Sequence, residues 1–210
     1  MKKFIKDLFN VPNTISLFRL VATPFLPIAW FVFHRPDITL LVGVVVGITD
    51  LFDGILARKL NQITDLGALI DQLGDLIFES TCLLIAIVDG HMWMGWLLIY
   101  LFREFTVTVI RTYVYSKGGK LPSSWIGKAK SSCLQWAFFL LFLGVILSQP
   151  DAVPGDWHIA GITPGWLLIH GGMLSIITGL AVGLLSGWQY LKAFAAFYIE
   201  QTERTETPAE

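Results

Sequence analysis

Six long apolar stretches, at about 14–33, 38–58, 65–88, 92–115, 125–148 and 166–195, alternate with short or polar connections at 34–37, 59–64, 89–91, 116–124 and 149–165. Each is at least as long as the ~20 residues that a helix needs to cross the hydrocarbon core of a bilayer. The pattern predicts an all-α integral membrane protein with six transmembrane helices. The opening residues interleave Lys2, Lys3 and Lys6 with Phe4, Ile5, Leu8 and Phe9. That is the pattern of a short amphipathic helix lying on an anionic leaflet. A signal peptide fits less well, because the apolar run that follows holds Pro24 and Pro27 and has no small-residue cleavage site. The predicted organisation is an interfacial helix over 1–12, one membrane domain over 13–198 and a flexible polar tail over 199–210.

Composition supports this reading. Of the 210 residues 54% are hydrophobic and 15% charged, against roughly 25% charged in an ordinary soluble domain. Disordered chains, disulfide-stapled secreted domains and water-soluble enzymes are excluded on that ground. Net charge is −1, so no basic field exists to attract nucleic acid. Cys82 and Cys133 lie in apolar runs and read as small packing residues.

Lysine and arginine set the orientation. Lys2, Lys3, Lys6, Arg58, Lys59, Arg111, Lys117, Lys120, Lys128, Lys130, Lys192 and Arg204 fall on one side of a six-span arrangement, and Arg35 alone falls on the other. Cytoplasmic segments carry such an excess, so both termini are predicted to be cytoplasmic. Gly179, Gly183 and Gly187 recur every fourth residue in the last stretch. This spacing allows close helix approach, either within the chain or across a homodimer seam. His34, His91, His158 and His170 are scattered, mostly near span ends, and read as interfacial residues.

The informative residues are the charges inside apolar stretches. An Asp at mid-bilayer costs about 2.5–3.5 kcal/mol on insertion scales. Asp50 and Asp53 lie in the second stretch, Asp71 and Asp75 in the third with Glu79 a turn later, and Arg103, Glu104 and Arg111 in the fourth. The 59–64 connection is short enough to make the second and third helices antiparallel neighbours. Asp53 and Asp71 are then both about 9–10 Å from the turn, and Asp50 and Asp75 one turn deeper. Each helix presents one acidic stripe. Carboxylates gathered in low dielectric repel, and divalent cations that favour all-oxygen ligation, Mg²⁺, Mn²⁺ or Ca²⁺, relieve the repulsion. Gly54, Ala57 and Gly67 leave space beside the acids, and Arg58 offers a fork suited to phosphate. A phosphate-bearing lipid substrate at the membrane–water boundary follows.

Asp50-Leu51-Phe52-Asp53-Gly54-Ile55-Leu56-Ala57-Arg58, then eight residues to Gly67, three more to Asp71 and three more to Asp75, resembles the D-x2-D-G-x2-A-R-x8-G-x3-D-x3-D signature of CDP-alcohol phosphatidyltransferases. Three further segments resemble the bacterial phosphatidylglycerophosphate synthases within that family: residues 10–19, the Arg103-Glu104 and Arg111 element, and residues 124–132. Where those synthases usually read D-P-x-A-D-K, this chain reads Asp71-Gln72-Leu73-Gly74-Asp75-Leu76.

The resemblance implies two Mg²⁺ or Mn²⁺ ions held by Asp50, Asp53 and Asp71, with Asp75 sharing the second ion and acting as general base. It implies a CDP-diacylglycerol donor accommodated by Gly54, Ala57 and Gly67 and met at its phosphates by Arg58. The implied acceptor is sn-glycerol 3-phosphate, its phosphate bound by Arg103, Arg111, Lys128 and Lys130. A homodimer embedded among membrane lipids of the bacterial inner membrane, with its active site facing the cytoplasm, completes the expectation. Other readings stay open at this point. Glu104 and Arg111, seven apart on one helix face, also suit a structural ion pair, and Lys128 and Lys130 also suit topology markers. Arg19 suits either headgroup contact or substrate binding. The acceptor could be phosphatidylglycerol, inositol phosphate or serine, and buried acids also occur in ion or proton transporters.

Overall fold

The computed structural model describes residues 8–60, 64–121, 125–149 and 162–206, with the side chains at 50–55, 57, 58, 65, 128 and 204–206 left outside the description. There is no β-strand among the described residues. The elements are α1 (Val11–Ala22), α2 (Phe25–Pro27), a π-helical turn (Ile28–Val32), α3 (Pro36–Lys59), α4 (Asp65–Val88), α5 (Gly95–Ser116), α6 (Trp125–Leu147) and α7 (Pro164–Glu206). Three segments are long and apolar enough to cross a membrane, Val11–Val32, Trp125–Leu147 and Pro164–Glu203, and Pro36–Thr49 is a shorter apolar helix. The chain is thus helical and of membrane type. Residues 1–7 of the expected interfacial helix lie outside the described residues.

The first apolar stretch is broken into pieces. The Asn10 side chain caps α1 by accepting from the Asn13 amide at 2.9 Å. Pro12 falls in the first turn, where its missing N–H would have no helical partner. Pro24 and Pro27 cannot donate to the ladder. The helix therefore ends at Ala22, restarts for three residues, and widens to a π turn in which the Phe33 amide donates to Ile28 O at 3.1 Å. At the other end of the chain α7 runs on to Glu206, past the point where the polar tail was expected at 199. Glu, Gln and Arg are good helix formers, and the intrahelical ladder needs no apolar surroundings.

α6 and α7 form the closest interface. A Cβ on Gly144 would come within 2.7 Å of Ile169 N, and one on Gly172 within 2.8 Å of Ala137 O. Phe138, Leu141 and Ile176 fill this interface, Leu83 packs from α4, and Phe78 meets Phe138 edge-on at 6.5 Å. The Gly179, Gly183 and Gly187 stripe faces this same chain. Its nearest neighbours are Leu134 and Cys133, then Lys130, then Arg103. α1 packs on both α3 and α4, and that contact positions the candidate site.

Candidate functional site

α4 begins at Thr64, whose hydroxyl accepts from the Gly67 amide at 3.0 Å. The Asn13 side-chain amide of α1 donates to the same hydroxyl at 3.1 Å. A Cβ on Gly67 would overlap Asn13 Oδ1. Gly67 therefore lets α1 approach the first turn of α4. Sequence reasoning gave Gly67 the task of leaving open space, and Asn13 lies in that space.

Asp71 and Asp75 follow one and two turns later, spaced i and i+4 on one face. Arg19 of α1 meets both. Its Nη2 donates to Asp71 Oδ1 at 2.7 Å and to the Asp71 backbone carbonyl at 3.0 Å, and its Nη1 lies 3.2 Å from Asp75 Oδ1. The arginine is 2% exposed, while the two carboxylates are 48% and 40% exposed. Gly74 makes this possible, because a Cβ there would lie 2.9 Å from Arg19 Nε and Nη2. The remaining unusual positions of this run serve packing. Gln72 donates to Thr108 Oγ1 of α5 at 2.9 Å, and Leu76 packs against the main apolar core.

A second charged cluster lies deeper. Lys130 of α6 donates to Glu79 Oε2 of α4 at 2.9 Å and to Glu104 Oε1 of α5 at 2.7 Å. Its ammonium also sits 5.1 Å from the centre of the Tyr100 ring. Arg103 bonds its neighbour Glu104 and reaches α7, donating to Gly183 O at 3.1 Å and to Ser186 Oγ at 2.9 Å. Glu79, Arg103, Lys130 and Ser186 are buried. Each charge has an opposite partner, as burial requires.

Of the residues expected to bind the acceptor, Arg103 and Lys130 thus come together at Glu104. Arg111 stands eight residues further along α5, about 12 Å by helical rise. Its guanidinium lies 5.4 Å from the centre of the Tyr190 ring of α7, and its Nε is buried without a hydrogen-bond partner among the described residues. The side chains of Asp50, Asp53, Gly54, Ala57, Arg58 and Lys128 lie outside the described residues. Among the described residues no group of three or more His, Cys, Asp or Glu is placed to share a metal ion. Sequence reasoning missed the Arg19 bridge, the Gly74 gap and the Glu79–Lys130 pair. The signal for each was a charge or glycine within an apolar run, but its partner was set by helix packing.

The described fold is helical and of membrane type. The sequence model of the CDP-alcohol phosphatidyltransferase family matches residues 9–185, and the chain belongs to that family. Curated relatives carry the name CDP-diacylglycerol–glycerol-3-phosphate 3-phosphatidyltransferase. The Salmonella typhimurium protein is 32% identical over 136 residues, covering 59% of this chain and 71% of the relative. The Pectobacterium atrosepticum protein is 30% identical over 141 residues, covering 63% and 76%. The Shigella flexneri protein is 31% identical over 172 residues, covering 72% and 91%.

Proposed function

We propose that this chain transfers the phosphatidyl group of CDP-diacylglycerol to sn-glycerol 3-phosphate, releasing CMP and phosphatidylglycerophosphate. The observation that carries the reading is family membership over residues 9–185 with relatives named for this reaction. An aspartate pair on one face of α4 agrees with it. The transporter alternative explains neither the membership nor the spacing of glycines and arginine around the acids.

Asp50, Asp53, Asp71 and Asp75 are the proposed ligands of two Mg²⁺ or Mn²⁺ ions. Asp71 and Asp75 fit such ions, because they are half-exposed oxygen donors one helical turn apart, the chemistry hard divalent cations take. When bound, such ions act as Lewis acids on phosphoryl oxygens and stabilise charge on the leaving group. Arg58 holds the donor phosphates by its fork, with Gly54 and Ala57 beside the nucleotide. Asp75 takes the proton of the acceptor hydroxyl. The freed oxygen then attacks the phosphorus carrying diacylglycerol, and the bond to CMP breaks with its electron pair leaving on the CMP phosphate. Positioning and electrostatics are most of what such a transfer needs.

The acceptor phosphate falls to the cations of α5 and α6: Arg103, Arg111, Lys128 and Lys130. Arg111 is the leading member, because its described contacts are a ring face and a buried unpartnered Nε, while Arg103 and Lys130 already meet Glu104. The proposal includes six spans, both termini and the active site on the cytoplasmic side of the bacterial inner membrane, and a homodimer. Purified protein given CDP-diacylglycerol, Mg²⁺ and a panel of acceptors tests the function. CMP release with sn-glycerol 3-phosphate is expected, and release only with phosphatidylglycerol, inositol phosphate or serine would reassign the acceptor.

A further inference from the structure

We propose that Arg19 is the positioning residue of the aspartate pair. Its guanidinium spans Asp71 and Asp75 and fixes the two carboxylates one helical turn apart in the arrangement that receives a divalent cation. The inference rests on the metal-site reading of Asp71 and Asp75 given above.

Three observations carry it. First, the arginine is 2% exposed while its partners are about half exposed. Half-exposed carboxylates on a helix surface need no buried partner for their own solvation, whereas a cation in an apolar run is retained only for a reason. Second, Nη2 also donates to the backbone carbonyl of Asp71 at 3.0 Å. That bond ties the guanidinium to the α4 main chain regardless of side-chain rotamer, so the arginine is the fixed member and the carboxylates are the members it holds. Third, the two ions lie on separate arms of one planar fork, Asp71 Oδ1 on Nη2 at 2.7 Å and Asp75 Oδ1 on Nη1 at 3.2 Å. A planar fork holds two acceptors at once, and a lysine ammonium is a point charge on a flexible stem. Gly74 between the two aspartates leaves the space in which the fork lies. Arg19 engages Oδ1 of each carboxylate.

The test compares wild type with Arg19→Gln and Arg19→Lys in detergent. It reads Mn²⁺ affinity from the loss of the free-ion EPR signal, and the kcat and KM of CMP release. Arg19→Gln is expected to weaken Mn²⁺ binding about tenfold and lower kcat about tenfold or more, with the KM for sn-glycerol 3-phosphate within about twofold of wild type. Arg19→Lys keeps a positive charge in the same place and guards against a folding failure of the neutral variant. It is expected to recover part of both losses, because an ammonium on a flexible stem keeps the charge but lacks the planar fork that fixes the two carboxylates relative to each other. A role in folding alone would lower the yield of protein and leave the Mn²⁺ affinity of the folded fraction unchanged. Arg19→Lys with wild-type Mn²⁺ affinity would therefore overturn the proposal. The Mn²⁺ measurement needs no turnover. Wild type that binds Mn²⁺ through Asp71 but releases no CMP would sink the proposed function and still decide the role of Arg19.

Discussion

Glu79 of α4 and Lys130 of α6 form an ion pair at 2.9 Å, with the glutamate 2% and the lysine 5% exposed. Lys130 shares its ammonium with Glu104, and Arg103 carries the network to Ser186, so one charged cluster joins four helices. Removing one member of a buried pair strands the other, at a cost of about 3–5 kcal/mol, whereas replacing both by apolar residues of similar volume is often neutral. Glu79→Ala is therefore expected to be strongly destabilised, and Glu79→Leu combined with Lys130→Met to recover most of the loss. Denaturant unfolding in detergent measures both. A single substitution as stable as wild type would show that the pair contributes nothing to the fold.

Gly171 and Gly172 are adjacent in α7 and have opposite surroundings. A Cβ at Gly171 meets nothing within 4 Å, while one at Gly172 would press on Ala137 O at 2.8 Å and Leu141 N at 2.9 Å. Backbone cannot swing aside as a side-chain tip can. Gly172→Ala is expected to cost about 1–3 kcal/mol through overpacking, and Gly171→Ala to gain up to about 1 kcal/mol from helix propensity. Thermal unfolding of the two variants side by side should give shifts of opposite sign.

Asp71→Ala removes a proposed metal ligand and leaves Arg19 without one of its partners. CMP release is expected to fall by about a hundredfold or more, the scale on which losing a group that stabilises transition-state charge is felt. Asp75→Asn is expected to reduce turnover more than Mn²⁺ affinity, since the proton acceptor is lost and an oxygen remains. Turnover of Asp71→Ala close to wild type would contradict its assignment.

Chelation gives a test independent of mutation. EDTA is expected to abolish CMP release, and added Mg²⁺ or Mn²⁺ to restore it, because an all-carboxylate set suits hard cations. Full activity in excess EDTA would remove the ions from the mechanism.

Arg111→Ala is expected to raise the KM for sn-glycerol 3-phosphate about tenfold or more, with little change in the KM for CDP-diacylglycerol. The factor corresponds to losing one charge-assisted hydrogen bond. Initial rates at varied acceptor and fixed donor read this directly. Equal effects on both substrates would place Arg111 outside the acceptor pocket.

The helices themselves were legible from the apolar stretches, whose edges fall within a few residues of α3 to α6. The break in the first stretch was written in Pro24 and Pro27, but the length of α7 was not, since hydropathy marks where a helix meets lipid and not where its ladder ends. Asp71 and Asp75 were legible as one stripe because spacing along a single helix is a property of sequence. Their partner Arg19, 52 residues upstream of Asp71, was not, because its position depends on how α1 lies across α4. The same holds for Lys130, read as an acceptor-phosphate ligand or a topology marker, whose carboxylate partners come from two other helices.

At 43 residues α7 is about 65 Å long by helical rise, roughly twice the thickness of a bilayer's oily interior. A rod of that length cannot be submerged from end to end. Its last turns carry the exposed Glu200 and Glu203. Charged, exposed turns so far along the rod offer a place to attach a fluorophore away from the aspartates of α4.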